Sequence, residues 1–131
     1  MTQWRWLQPE TAEAVHQEQL AEHGGGPGTR DRNALLSALA RAQNLAVYGD
    51  PDAAALAASY AYGVAKNHPF VDGNKRTAWV LARLFLAKNG RGIRFGRAEA
   101  VLVMEGVAAG RVSEEQFASW LRDRIAAAEE R

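Results

Sequence analysis

The sequence has no cysteine, which excludes thiolate chemistry and cysteine-ligated zinc and fits a reducing cytoplasm as the expected location. It also lacks a long apolar run. The longest uncharged stretch with a helical pattern, Ala53 to Ala65, is 13 residues, too short to cross a bilayer. The opening Met1-Thr2-Gln3-Trp4-Arg5-Trp6 has no charged-then-apolar build, so no secretory signal is expected. Strand-type alternation is nearly missing as well. Trp4 to Leu7 and Ile93 to Phe95 are the only strand candidates, and both are short. An apolar share of 47% against 24% charged excludes a disordered or collagen-like chain. With 131 residues, the expectation is one domain over residues 1–131, large enough to fold without disulfides or metal.

What is abundant is alanine, 26 residues, and the chain reads as all-α. A first helix opens at Pro9, passes Val15 and Leu20, and must end at the glycine run Gly24-Gly25-Gly26-Pro27-Gly28. A second follows Arg30-Asp31, with Leu35, Leu36 and Leu39 at helical spacing. Tyr48-Gly49-Asp50 reads as a turn, with Asp50 capping a third helix from Pro51 to about Asn67. His68-Pro69 stops that helix, since the residue before proline is pushed out of the helical region. The next helix, about Asn74 to Asn89, is apolar almost all round and is expected at the centre of a small bundle, with Gly90 as its stop. A fifth helix fits Ala98 to Ala109. A sixth starts at Ser113, where Gln116 completes a capping box, and buries Phe117, Trp120 and Leu121.

The net charge of +1 hides an uneven layout. Residues 1–65 hold four Lys/Arg and seven Asp/Glu, whereas residues 66–97 hold eight Lys/Arg against Asp72 alone. That local excess is either a solvated face or the footprint of an anionic partner. His16 and His23 have no partner ligands at metal spacing and read as ordinary surface residues.

The segment His68-Pro69-Phe70-Val71-Asp72-Gly73-Asn74-Lys75-Arg76 gathers a base, a carboxylate, a glycine, an amide and two cations just before a helix start. Helix N-termini suit phosphate, and Gly73 lets successive N–H groups turn toward one anion. Lys75 and Arg76 are mildly unfavourable in a helix's first turn unless an anion is bound there. Asp72 offers the hard oxygen that a phosphate-bound Mg²⁺ takes from protein, or caps the helix. Asn74 either contacts phosphate or caps the helix. His68 is the side chain here able to accept a proton near neutral pH. Together these residues read as phosphate transfer.

This segment resembles the motif of the Fic/Doc family, in which His-x-Phe-x-Asp/Glu-Gly-Asn-x-x-Arg-type loops open a central helix. Six residue types at fixed spacing (His68, Phe70, Asp72, Gly73, Asn74 and Arg76) would coincide at on the order of one in 10⁷ to 10⁸ positions. The resemblance extends to Arg5-Trp6-Leu7, His23-Gly24-Gly25, Arg30-Asp31-Arg32, Ala61-Tyr62-Gly63 and Trp120-Leu121, and is to the compact death-on-curing (Doc) toxins. Where Fic enzymes carry a glycine this chain has Lys75, and where they carry a second arginine it has Trp79.

The resemblance implies a helical bundle around a central helix and an enzyme using ATP and Mg²⁺. His68 would be the general base, Asp72 the metal ligand, and Gly73, Asn74, Lys75 and Arg76 the nucleotide phosphate site, with Lys66 either adding a contact or ending a helix. Pro69 and Phe70 would be structural, Phe70 pinning the loop on the core. Asn44 to Asp52 occupies the place of a short β-flap that grips the target, which would give Tyr48, Gly49 and Asp50 a target-binding role. The residues themselves show only a turn there. Lysine at position 75 implies a nucleotide turned to present its γ-phosphate, hence a protein kinase acting on a threonine of elongation factor Tu, halting translation and restrained by a Phd-type antitoxin. Two alternatives are AMP transfer to a protein hydroxyl and a non-catalytic module that binds an antitoxin or nucleic acid. Direct nucleic-acid binding is not expected, since no stacking platform or helix-turn-helix signature is present.

Overall fold

The computed structural model describes residues 3–130, so Met1 and Thr2 of the opening stretch lie outside the described residues. Six helices follow in order: α1 (Pro9–His23), α2 (Arg32–Tyr48), α3 (Ala53–Asn67), α4 (Asn74–Lys88), α5 (Arg97–Ala109) and α6 (Glu114–Glu129). The fold is all-α, as the composition predicts. No helix among the described residues is long and apolar enough to cross a membrane.

The centre is α3, not α4. It packs against α2, α4, α5 and α6, and eleven of its fifteen residues are buried. The reason is side-chain size. Alanines at 53, 54, 57, 58, 61 and 65 let neighbouring helices approach from every side. At Gly63 a Cβ would stand 3.0 Å from the Ala38 Cβ and 3.2 Å from its Cα, so the glycine allows α2 and α3 to touch. Helix α4 carries the bulkier residues. It buries Leu81, Phe85 and Leu86 against α3, while Trp79, Val80, Arg83 and Leu84 stay partly exposed. The Arg83 guanidinium lies over the Trp79 ring, and burial, with no acidic partner among the described residues, holds its pKa below the usual arginine range.

Neither strand candidate forms a strand, because neither finds a partner strand. The Arg5 N–H donates to the Asn89 side-chain oxygen at 2.9 Å, and the Asn89 amide donates back to the Arg5 carbonyl at 3.1 Å. The Leu7 N–H donates to the Tyr60 hydroxyl, and Trp4 and Trp6 pack on Phe85. Near the other candidate, the Arg94 N–H donates to the Arg124 carbonyl. The expected β-flap at Asn44 to Asp52 is also absent: α2 continues through Tyr48 on the helix-compatible Leu45-Ala46-Val47. The single β-bridge among the described residues joins Thr29 to Phe70.

Most helix ends follow the sequence. Asp31 caps α2 by accepting from the Ala34 N–H, and Ser113 and Gln116 form the reciprocal capping box of α6. Gly90, at φ +78°, turns the chain out of α4. The cap of α3 is Asp52 rather than Asp50: its carboxylate accepts from the Ala55 N–H and is gripped by Arg122 at 2.6 and 3.0 Å. Arg124 grips Glu99 in the same two-pronged way at 3.0 and 2.9 Å.

These two braces predict an acid limit. The Arg122 hydrogen bonds hold Asp52 below its ordinary pKa, and the Arg124 hydrogen bonds, with the Gly96 N–H, pull Glu99 down to about 2. Folded values below unfolded ones mean that this stability is present above about pH 5 and is lost as pH falls toward the folded values. The melting temperature should therefore be flat from about pH 7 to 5 and decline below it. Asp52→Asn should shallow that decline. The effect is small, since both pairs are solvent-accessible. An acid slope identical in the variant would remove Asp52 from this account.

Candidate active site

The loop from His68 to Gly73 joins the buried helix α3 to α4, and its backbone is fixed from three directions. His68 ends α3 in the left-handed conformation, φ 49° and ψ 56°, the one non-glycine residue with positive φ among those described. That conformation is costly for a side chain with a Cβ, so something must hold it. Arg30 does. Its guanidinium donates to the His68 carbonyl at 2.9 and 2.6 Å and to the Asn67 carbonyl at 3.2 Å, a cation on the open end of a helix. The Arg30 and Asp31 N–H groups also donate to the Pro69 carbonyl, and the Val71 N–H donates to the Gly28 carbonyl. The glycine-rich strap is thereby zipped onto the loop.

Phe70, 1% exposed, anchors the loop in the core as expected. Both of its backbone groups pair with the Asn74 amide, at 3.1 Å to the oxygen and 3.0 Å from the nitrogen. Asn74 is buried, and its side-chain amide braces the loop while the residue itself still borders the cleft lined by His68 and Lys75. Gly73, at φ +76°, then starts α4, and its N–H donates to the Asp72 Oδ1 at 2.8 Å.

His68, Val71, Asp72, Gly73, Asn74, Lys75 and Arg76 line one cleft of about 400 Å³, with His23, Gly24 and Gly25 across from them. The His68 ring is exposed and makes no hydrogen bond among the described residues, which leaves both nitrogens available. Lys75 is exposed and has no ion-pair partner among them either. Arg76 is half-buried. One of its terminal nitrogens donates to the Gly24 carbonyl at 3.1 Å, and its Nε is buried without a partner. A cationic group with an unsatisfied donor at a helix N-terminus fits an anion.

Asp72 fits a Mg²⁺ that arrives with phosphates. No group of three or more metal-ligating side chains exists among the described residues, so a divalent ion here would take most ligands from nucleotide and water, the usual mode for Mg²⁺. The strap is shaped for that carboxylate. A Cβ at Gly25 would lie 2.9 Å from the Asp72 Oδ2, so any larger residue there would press on it.

Other sequence expectations change. The Lys66 ammonium is turned to the Ala108 carbonyl at the end of α5, at 3.4 Å, and does not line the cleft. A helix end attracts the cation away from the loop. Tyr48, Gly49 and Asp50 are exposed but also lie outside the cleft lining. His23 is exposed, as expected, and also borders the cleft. His16 is no surface residue at all: it is 2% exposed, stacked on Phe70 and bonded to the Asp72 carbonyl. Its place among Ala12 and Val15, on the buried face of α1, is the signal that sequence reasoning passed over.

A model described as the Fic/DOC family matches residues 6–86. The chain belongs to the Fic/DOC family. The matched span runs from the segment before α1 into the last turn of α4, so it contains both walls of the cleft. Two relatives extend the likeness. "Protein kinase doc" of Escherichia phage P1 is 33% identical over 126 residues, covering 95% of this chain and 99% of that protein. "Toxin Doc" of Mycolicibacterium smegmatis is 46% identical over 70 residues, 51% of this chain and 53% of that protein. In this Fic/DOC chain, His68, Asp72, Gly73, Asn74, Lys75 and Arg76 of the motif share one cleft, and the Asn74 side chain also pairs with Phe70 to brace the loop that carries them.

Proposed function

We propose that this chain is the toxin of a toxin–antitoxin pair and acts as a protein kinase, moving the γ-phosphate of Mg-ATP to a threonine hydroxyl of elongation factor Tu. A Phd-type antitoxin would restrain it. The observation that carries this reading is Lys75, a cation without an ion-pair partner among the described residues, on the cleft wall beside Arg76 and Asp72 at the start of α4. A lysine there fills the space that a glycine would leave, and favours a nucleotide whose terminal phosphate sits nearest His68. The names of the relatives, one a protein kinase and one a toxin, agree with it.

In this mechanism His68 accepts the proton of the target hydroxyl as its oxygen bonds to the γ-phosphorus. The bond from that phosphorus to the bridging oxygen breaks, and ADP leaves. Arg76, as a two-pronged donor, and Lys75, as a point charge, hold the phosphate oxygens while charge redistributes among them. Asp72 would hold Mg²⁺, which supplies charge neutralisation on the phosphates. Tyr48, Gly49 and Asp50 would contact the target protein from outside the cleft.

The test is a transfer assay with Mg²⁺ and elongation factor Tu, run with ATP labelled at the γ- or the α-phosphate. Label from the γ position alone is expected. Label from the α position would mean AMP transfer, and no label from either would favour a binding module.

A further inference from the structure

We infer that His16 is a positioning residue for the Asp72–Gly73 turn: its imidazole N–H holds the Asp72 carbonyl and thereby aims the Asp72 carboxylate into the cleft. The role in catalysis rests on the phosphotransfer reading above; the mechanical role does not. His16 sits in the middle of α1, 56 residues from Asp72 in sequence, yet its Nε2 lies 2.8 Å from the Asp72 backbone oxygen. A carbonyl only accepts, so Nε2 carries the proton. The ring lies nearly parallel to Phe70, 4.0 Å between centroids and 7° between planes, which fixes the direction in which that N–H points.

The turn from Phe70 to Asn74 is then held at both ends and in the middle. Phe70 is paired through its backbone with Asn74 and through its ring with His16. Asp72 has its carbonyl on His16 and its Oδ1 on the Gly73 N–H. With carbonyl and one carboxylate oxygen both tied, little rotational freedom remains, and Oδ2 faces the strap at Gly25. Burial and geometry separate this role from ordinary core packing. The bond from His16 to the Asp72 carbonyl is part-buried, so losing the donor leaves that acceptor without the partner that fixes its direction. Loss of the donor should therefore cost precision at the turn in addition to some stability, as is usual for groups that orient a metal-binding carboxylate from behind.

Two variants of the full chain separate donor from ring. His16→Phe keeps an aromatic ring for the Phe70 stack and removes the N–H; His16→Gln keeps an N–H at similar reach and removes the stack. Affinity for a non-hydrolysable ATP analogue with Mg²⁺, measured by calorimetry, should weaken about 10- to 100-fold in His16→Phe and largely recover in His16→Gln. Exchange of the Gly73 amide hydrogen, read by NMR without nucleotide, should be about tenfold faster in His16→Phe. In the unaltered protein, NMR of the ring nitrogens should show the proton on Nε2. A proton on Nδ1 alone would overturn the inference, as would equal losses in the two variants or Gly73 exchange unchanged in His16→Phe. If His16→Phe does not fold, the ring tautomer and His16→Gln decide the matter. If the unaltered protein binds no Mg-ATP analogue, the phosphotransfer reading fails by itself, and Gly73 exchange still tests the turn.

Discussion

His68→Ala is expected to slow phosphoryl transfer by roughly 10² to 10⁴, the span of a general base, while the protein stays folded. The two halves of this expectation come from different atoms. The ring is exposed in the cleft and makes no hydrogen bond to the described protein, so its removal breaks no internal hydrogen bond there. The backbone is what the fold uses. Arg30 binds the His68 and Asn67 carbonyls, and the His68 N–H closes the last turn of α3 on Val64; alanine retains those groups. The left-handed conformation is unfavourable for both residues, so it adds little difference between them. Urea midpoints of the two proteins should therefore lie close together while their rates differ by orders of magnitude. Transfer at the full rate in His68→Ala would remove His68 as the base; a collapse of stability would mean that its ring has a structural partner.

How much of this was legible in the sequence depends on the range of the interaction involved. Helix starts at Pro9 and Ser113 and the stop at Gly90 rest on neighbours within four residues, and the sequence places them correctly. Asp50 and Asp52 look alike locally as caps. Arg122, 70 residues away, is the partner that distinguishes Asp52 in the folded chain. The identity of the central helix turns on side-chain size. Apolar character all round α4 suggested burial, but alanine's small size, rather than hydrophobicity, lets α3 accept four neighbours. The motif announced its reactive groups but not its supports. Asn74 shares the loop with Lys75 and Arg76, and only the fold shows that its amide is taken up by Phe70. Arg30 and His16 act across 38 and 56 residues of chain, beyond the reach of any local pattern.

Lys75→Gly is expected to cut γ-phosphate transfer by about 10² to 10³, the loss typical when one preorganised charge donor to the transferring group is removed. The fold has no stake in this ammonium. It is exposed, unpaired among the described residues, and lies in the first turn of α4, where a cation opposes the helix dipole. Glycine in a helix costs about 1 kcal/mol against alanine, but less in a first turn, and the deeper anchors at Asn74 and Phe70 remain. The larger consequence concerns orientation. With the side chain gone, the cleft wall beside Arg76 opens, and the nucleotide can bring its α-phosphate toward His68. Assayed with both labels, the variant should lose γ label and can gain α label, whereas His68→Ala should lose label of either kind. That contrast separates a residue that chooses which phosphate is presented from one that activates the hydroxyl. A Lys75→Gly protein that transfers γ-phosphate at the original rate would show that Arg76 and the α4 N-terminus suffice to hold it, and the reading of Lys75 as the orienting charge would be wrong.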